Sequence, residues 1–334
     1  MASPAYTGLP LSRPNWTGAN TDVDIHIEEH LGFVDKAFTY ASKLANVMNI
    51  RTLSGTNALR VDRLGDVTVQ GRKSGAALTA TTVPNDKMTL IVDTLLYTRH
   101  NFDKFDDWAS SFDHRKEVGE ADGTALAKLF DQAALIQAAK CADFQVPTGF
   151  TGAFNPGILI KANITANIED GEANAARLVT AHRQSLEQLI QRDLGDELYS
   201  EGITFVSPQI FSVLLEHKKL LSVDWQAGQP ANDYSRARIG MLNGVRVIET
   251  PRIPTSAIAS HPLGTAFNVT ATEAKRQIIT IIPSLTLIAG QVSELKADYW
   301  ENKGEFGWVL DTYQAYNIGQ RRPDSAAVVE VTVQ

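Results

Sequence analysis

The stretch GDVTVQGRKSGAALTATTVPNDKMTLIVD, residues 65–93, constrains this chain more than any other. Asp66 to Gln70 alternate polar with apolar, as do the residues around Leu78, Ala80 and Thr82, and then Met88, Leu90 and Val92. Alternation of period two, in runs joined by a Gly-containing segment, predicts a long β-hairpin. A lone hairpin is marginal in water, so this one must find a surface to cover. Its centre, Gly71-Arg72-Lys73-Ser74-Gly75, superficially matches a phosphate-binding loop. A P-loop needs two glycines four residues apart, then Lys and Ser or Thr, so that backbone N–H groups wrap phosphates at a helix start. Here Gly65 and Gly71 are too far apart, Arg72 stands in the Lys position, and the residues between them read as strand. The glycines and bases belong to a hairpin.

The flanking segments also lack cores of their own. Residues 1 to about 25 contain Pro4, Pro10 and Pro14 with little periodicity and read as an arm. Residues 26–50 show helical spacing at Ile27, Leu31, Val34 and Phe38, then Tyr40, Leu44 and Val47. A long helix follows at about 115–143, with a narrow stripe of Val118, Ala121, Ala125, Leu129, Ala133 and Ile136 against which something packs closely. Gly119 and Gly123 place its firm part after them. A second amphipathic helix at about 172–194 has Val179, Leu186, Leu189 and Ile190 on its apolar side. GITFVSPQIFSVLLEHKKLL reads as a strand, then a helix capped by Ser207 with Pro208 in its first turn. NGVRVIETPRIP is a turn, a strand and a proline stop, and IITIIPSLTLIA is two buried strands broken at Pro283, too short to span a bilayer. The C-terminal run with Trp300, Phe306, Trp308, Tyr313 and Tyr316 suits long antiparallel strands. An arm, an overlong hairpin and one thin helix are extensions, and a single copy leaves their surfaces without partners.

Candidates for chemistry are sparse. With a formal charge of −7 and a pI of about 5.5, the chain does not coat nucleic acid through a dominant basic face, although a container wall need not be basic. Cys141 is the single cysteine, which suits a reducing compartment and reads as a packed small residue. The Asn-X-Thr triplets at Asn15, Asn163 and Asn268 carry no meaning without a secretory route. HIEEH matches H-x-x-E-H: on a helix His26 and His30 would hold zinc, and Glu29 would take a proton from bound water. Glu117 or Glu120 would supply a third ligand. The competing reading is a solvated helix start, whose early carboxylates suit the dipole. Asp103, Asp106 and Asp107 lack the ligand spacing of a calcium loop. His182 and Ser185 lie one turn apart with no oxyanion-forming loop. Arg321-Arg322-Pro323 offers bases for a phosphate or a neighbour's carboxylate. No Rossmann fingerprint or paired-cysteine spacing occurs, and no cofactor is called for.

The order of these elements resembles the major capsid proteins of tailed bacteriophages, above all those of short-tailed, T-seven-like phages. The likeness runs through DELYSEGITFVSPQIFSVLLE, through RIGMLNGVRVIETPRIP with its Gly244 to Pro251 rhythm, and into YQAYNIGQRRPDSAAVVEV with Gly319, Arg322 and Pro323. It implies an α+β fold of the Hong Kong 97 type: an N-terminal arm at 1–50, an extended loop (the β-hairpin) at 51–98, a peripheral domain at 99–200 with a spine helix at about 115–143, an axial domain at 201–290, and return strands of the peripheral domain at 291–334. It implies a non-enzymatic shell subunit, assembling as hexamers and pentamers into an icosahedral head around double-stranded DNA held without sequence specificity. The implied partners are further copies of the chain, a separate scaffolding protein, a portal protein at one vertex and a cement or decoration protein, with no membrane. The implied location is the virion, assembled in the bacterial host cytoplasm. Arg72, Lys73, Leu90, Arg321 and Arg322 become candidates for contact between subunits. Some relatives join a loop Lys to an Asn covalently with the help of a nearby Glu; Lys73 and Asn317 are present, but no string fixes such a trio and the T-seven-like group does not resemble the cross-linking type, so non-covalent locking is expected. Two alternatives stand beside this reading: a zinc-dependent hydrolase built on HIEEH, and an encapsulin-like protein compartment.

Overall fold

The computed structural model describes residues 34–38, 41–103 apart from 66, 68, 76, 79, 81 and 82, and then 114–147, 154–166, 171–218, 232–233, 238–302 and 307–334. His26, Glu29, His30, Asp106, Asp107 and most of the expected arm lie outside the described residues. In chain order the strands are β1 (Asn49–Thr52), β2 (Ala58–Leu64), β3 (Asn85–Ile91), β4 (Leu96–Asp103), β5 (Ile158–Ile164), β6 (Ile203–Val206), β7 (Asn232–Asp233), β8 (Arg238–Ile239), β9 (Met241–Leu242), β10 (Val245–Glu249), β11 (Arg276–Ile281), β12 (Leu287–Asn302), β13 (Gly307–Gln320) and β14 (Ala327–Val333). The helices are α1 (His114–Lys140), α2 (Gly171–Gln191), α3 (Gly195–Glu201), α4 (Pro208–Leu214) and α5 (Pro283–Thr286), with a further helical segment at 34–38.

The chain divides into two compact units. The larger comprises Ser42–Leu96, Lys128–Glu294 and Ala315–Gln334. It contains a six-stranded sheet of order β5-β14-β11-β6-β10-β9. Every residue of β6 and β11 is buried, which is why ITFV and RQIITI carry little exposed polar alternation: a central strand covered on both faces need not alternate. Asn243 (φ 51°) and Gly244 (φ 86°) both take the positive φ that a two-residue hairpin turn requires, so β9 folds back on β10. Leu178 and Ala181 of α2 and Phe211 and Leu214 of α4 share a core with Val206, Ile278 and Val329. Pro208 opens α4 as expected, but Ser207 contributes no side-chain cap. Its hydroxyl is buried without a partner among the described residues, while its carbonyl accepts from Phe211 N at 2.9 Å.

Strands β5 and β14 pair in parallel from Ala327↔Ile158 to Val333↔Ile164, in the same sheet as β6, β10 and β11. The boundaries expected near 200 and 290 therefore cut through one sheet. The cause is a pairing between segments far apart in sequence, which no local pattern announces.

The smaller unit comprises Tyr97–Ala127 and Leu295–Gln314 with the described residues up to Ala41. Strands β12 and β13, the longest two, are neighbours in a sheet of order β1-β12-β13-β4. Arg99 holds Asp311 with two bonds, Nε to Oδ1 at 2.7 Å and an NH2 nitrogen to Oδ2 at 2.6 Å, and lies 5.2 Å over the Trp300 ring.

Helix α1 departs from expectation twice. It runs unbroken through Gly119 and Gly123. A Cβ on Gly123 would fall 2.3 Å from the Val34 carbonyl oxygen and 2.9 Å from Ala37 Cβ, so the glycine is where segment 34–38 crosses the helix at closest approach. Ala121 and Ala125 of the expected stripe are exposed; the buried face there is Gly119, Asp122, Gly123 and Leu126. Residues 133–139 are buried all round, so no single stripe describes that half. There Asp131 ties down the start of the larger unit, accepting from Ser42 Oγ at 2.7 Å and from the backbone N–H groups of Lys43 at 2.9 Å and Leu44 at 3.2 Å. Burial pushes the Asp131 carboxyl above the ordinary carboxylate range, and these donors partly hold it down.

Candidate functional site

A hairpin does form, but its strands are β2 and β3, in register from Ala58↔Ile91 to Leu64↔Asn85. The alternating runs at 66–70 and 78–82 are not strands among their described residues. Alternation pins a strand only where one face has something to bury. The root has it: Leu59, Val61 and Leu90 pack on Ile288 of β12, with Leu53 and Met88 at the margin. Gly319 keeps that approach close. A Cβ on Gly319 would stand 3.2 Å from Leu90 Cδ1 and from the Met88 side chain. Asn317 Nδ2 donates to the Ile91 carbonyl at 2.7 Å. Arg63 donates to Asp86 at 3.2 Å and to the Gln320 carbonyl, with its guanidinium 5.1 Å over Phe144.

Beyond Leu64 and Asn85 the character changes. Leu64, Val67, Val69 and Leu78 are 70%, 59%, 93% and 80% exposed, so this tip carries aliphatic side chains that its own chain leaves in water. Arg72 and Lys73 are exposed beside them, next to a turn at Gly75 with φ 86°. An apolar, basic tip on a firmly anchored root is suited to bind a surface that this copy does not supply.

The other expected contact residues divide. Leu90, expected to meet a neighbour, is 8% exposed and turned into its own chain. Arg321 donates to the Ser284 carbonyl at 3.1 Å, and Arg322 pairs with Asp324 at 2.8 Å. Both arginines line a cleft of about 310 Å³ at the hairpin root, together with Arg63 and Phe144. Sequence reasoning missed Arg63. The signal was a cation placed between the inward-facing Val61 and the turn, where it reaches both Asp86 across the hairpin and the end of β13. The Asn317 amide is engaged with the hairpin and with Ile318 N at 2.8 Å.

The catalytic candidates that fall on described residues have structural surroundings. Cys141 is fully buried, bonded to the Gln137 carbonyl at 3.4 Å, and burial pushes its thiol up. Ser185 Oγ donates to the His182 carbonyl at 2.7 Å, not to the imidazole. His182 is itself fully buried, with Nε2 at 3.1 Å from Thr204 Oγ1 and Nδ1 at 3.0 Å from Asn243 Nδ2. Burial lowers its pKa from 6.5 to about 4. Glu117 and Glu120 are exposed on α1. Among the described residues no three His, Cys, Asp or Glu side chains converge as a metal site, and no helix is long and apolar enough to cross a membrane.

His182 sets an acid limit on the fold. Because its folded pKa lies below its unfolded one, the unfolded chain binds a proton that the folded chain does not. The stability it leaves intact above pH 6.5 is lost as pH falls towards about 4. The loss is expected to be on the order of 3 kcal/mol. Urea unfolding at neutral and at mildly acid pH should show the slope in the parent chain, and His182→Gln should flatten it. An unchanged slope in the variant would assign the acid sensitivity to other groups.

Comparison with known proteins adds a relative along almost the whole length. The subunit of the bacteriophage PhiM1 mature capsid is 38% identical, superposes with a TM-score of 0.77, and the match covers 97% of each chain. The capsid protein of cyanophage P-SCSP1u has the same fold at 18% identity and a TM-score of 0.68, over 86% of this chain and 87% of that one. A chain of Mycobacterium phage Che8 shares the fold at 15% identity and a TM-score of 0.59, over 86% of this chain and 90% of that one. No protein-family model matches the sequence, and no curated protein matches it.

Proposed function

Because the chain belongs to the family of phage major capsid proteins and has their Hong Kong 97-type fold, we propose that it is the head-shell subunit of a short-tailed, T-seven-like phage. It assembles as hexamers and pentamers into an icosahedral shell around double-stranded DNA. The observation that carries this is the likeness to a mature capsid subunit over 97% of both chains at 38% identity. The exposed tip between Leu64 and Asn85 agrees with it, since such a tip gains a partner only when copies meet.

In this reading the hairpin is the extended loop, laid over an adjacent subunit with Arg72 and Lys73 at its contact. Helix α1 is the spine. The six-stranded sheet with α2 and α4 takes the axial place, and the far ends of β12 and β13 take the peripheral one. Each contact is modest, and repetition around a closed shell makes the set strong. The net charge of −7 suits a wall that must not trap its contents, because a strongly basic lining would bind DNA as it enters. A separate scaffolding protein directs assembly, a portal protein occupies one vertex, and a cement protein decorates the outside. The loop is locked without a covalent bond. The site of assembly is the host cytoplasm.

Electron microscopy of the purified protein, produced with and without a scaffolding partner, tests the reading. Uniform icosahedral particles are expected. Monomers or dimers alone in both preparations would overturn it.

A further inference from the structure

The cleft at the hairpin root lies within the larger unit, and its charged lining is Arg63, Arg321 and Arg322 against Asp62 and Asp324. Each of those carboxylates already has a cation. Asp324 accepts from Arg322 at 2.8 Å, and Asp62 lies 3.7 Å from Arg60, which is outside the lining. Arg63 in turn is paired with Asp86 at 3.2 Å. Arg321 is left over. It is half-buried and donates to the Ser284 carbonyl at 3.1 Å, and among the described residues no carboxylate lies within ion-pair distance of it. A guanidinium carries five N–H donors, so Arg321 keeps donors to offer a ligand. Arg63 keeps one as well: its side chain is 11% exposed, yet its Nε is buried and has no partner among the described residues. A buried donor left unpaired costs free energy that an acceptor in the cleft would recover.

Both walls are held in place by the fold itself. The backbone N–H groups of Arg321 and Arg322 donate to the Thr286 carbonyl, at 2.8 and 3.3 Å, and Ser325 Oγ donates to the Arg322 carbonyl at 2.7 Å. Thr286 and Ser325 are fully buried, with their hydroxyls 2.9 Å apart. On the opposite wall Arg63 lies 5.1 Å over the Phe144 ring and reaches the Gln320 carbonyl. Donors fixed in this way lose little freedom when a ligand arrives. We propose that the cleft binds a small, doubly charged oxyanion, either free phosphate or the phosphate group of a small monoester, which ties strand β2 through Arg63 to the turn after β13 through Arg321. The guanidinium fork matches the oxygens of such an anion. A cation is unsuited, because both carboxylates of the lining are taken. A long run of phosphates is unsuited too, because Asp62 and Asp324 would repel it. The volume of about 310 Å³ leaves room beside Phe154 for an organic group. The site is complete within one copy and does not depend on the shell reading. By tying down the hairpin root, it would set how firmly the exposed tip is presented.

Isothermal titration calorimetry of the full-length protein with inorganic phosphate, at an ionic strength held constant with sodium chloride, tests it. One saturable site per chain is expected. Arg321→Gln should weaken that site about tenfold or more, the loss of a charge-assisted hydrogen bond. Asp324→Asn should act in the opposite direction, because it releases Arg322 and removes a like charge, so phosphate binds more tightly. That gain keeps the test sound if Arg321→Gln folds poorly, since a damaged fold does not bind better. Arg72→Gln, on the exposed tip, should bind phosphate as the parent chain does. Adenosine monophosphate distinguishes the two sources: tighter binding than phosphate assigns the site to a monoester, and weaker binding assigns it to the free ion. Absence of saturable binding, affinity unchanged in both Arg321→Gln and Asp324→Asn, or an equal loss in Arg72→Gln would each overturn the site.

Discussion

Replacing residues 66–83 with an Asn-Gly turn between Gly65 and Pro84 is expected to abolish particles while leaving the unfolding midpoint of the chain unchanged. The two halves of this expectation come from different parts of one hairpin. The ladder already closes at its outer end, where Gly65 N donates to the Pro84 carbonyl at 3.0 Å, so a short turn can join the strands there. What stabilises the chain lies inward of that point, in Leu59, Val61 and Leu90 on Ile288 and in Arg63 on Asp86. What is removed includes Val67, Val69 and Leu78, which are mostly in water and contribute little to the isolated fold. Covering such side chains on a neighbour is worth about 1.5–3 kcal/mol for each one fully buried, and a shell repeats the contact in every copy. Leu90→Asp is a poorer probe of assembly. It puts a carboxylate among Leu59, Val61 and Ile288, and its expected cost of about 3 kcal/mol or more falls on folding first. Sedimentation and microscopy of the tip replacement, beside its urea midpoint, separate the two effects. Normal particles from that variant would remove the tip from assembly.

The same hairpin shows how far the sequence was legible. Its existence followed from alternation and glycines, yet its strands lie at 58–64 and 85–91, pinned by contacts with β12 and β13 that alternation alone cannot reveal. Features set by their own few residues were readable: the turn at Asn243-Gly244, the break at Pro283, the helix start at Pro208. Features set by distant partners were not. The parallel pairing of β5 with β14 joins segments more than a hundred and fifty residues apart, and the exposed stripe at Ala121 and Ala125 depends on which side of α1 meets segment 34–38. Among the candidate site residues, exposure of Arg72 and Lys73 could be read from the composition of the tip. The inward turn of Leu90 could not, because it depends on a one-residue choice of register. The sharing of one cleft by Arg63, Arg321 and Arg322 needed the fold.

Asp143→Ala is expected to cost about 3–5 kcal/mol, more than Arg276→Met at the other end of the same ion pair. The asymmetry follows from burial: the Arg276 side chain is 4% exposed and that of Asp143 is 47% exposed. Arg276 reaches from the start of β11 to the end of α1, donating to Asp143 at 2.6 and 2.7 Å and to the Ala139 carbonyl at 2.8 Å. It therefore satisfies a carbonyl in the last turn of α1 and places a cation at the negative end of the helix dipole. Removing Asp143 leaves a guanidinium out of water with no counter-charge, and its Nε already lacks a partner among the described residues. Removing Arg276 with a side chain of similar bulk leaves Asp143 free to hydrate, at an expected cost of about 1–2 kcal/mol. The double variant should lie close to Arg276→Met alone, because the buried charge that made Asp143→Ala costly is gone. Urea unfolding of the three variants gives the order directly. If Arg276→Met were the most damaging, the pair would be acting through the Ala139 hydrogen bond and local packing, and the end of α1 would be held by geometry more than by charge.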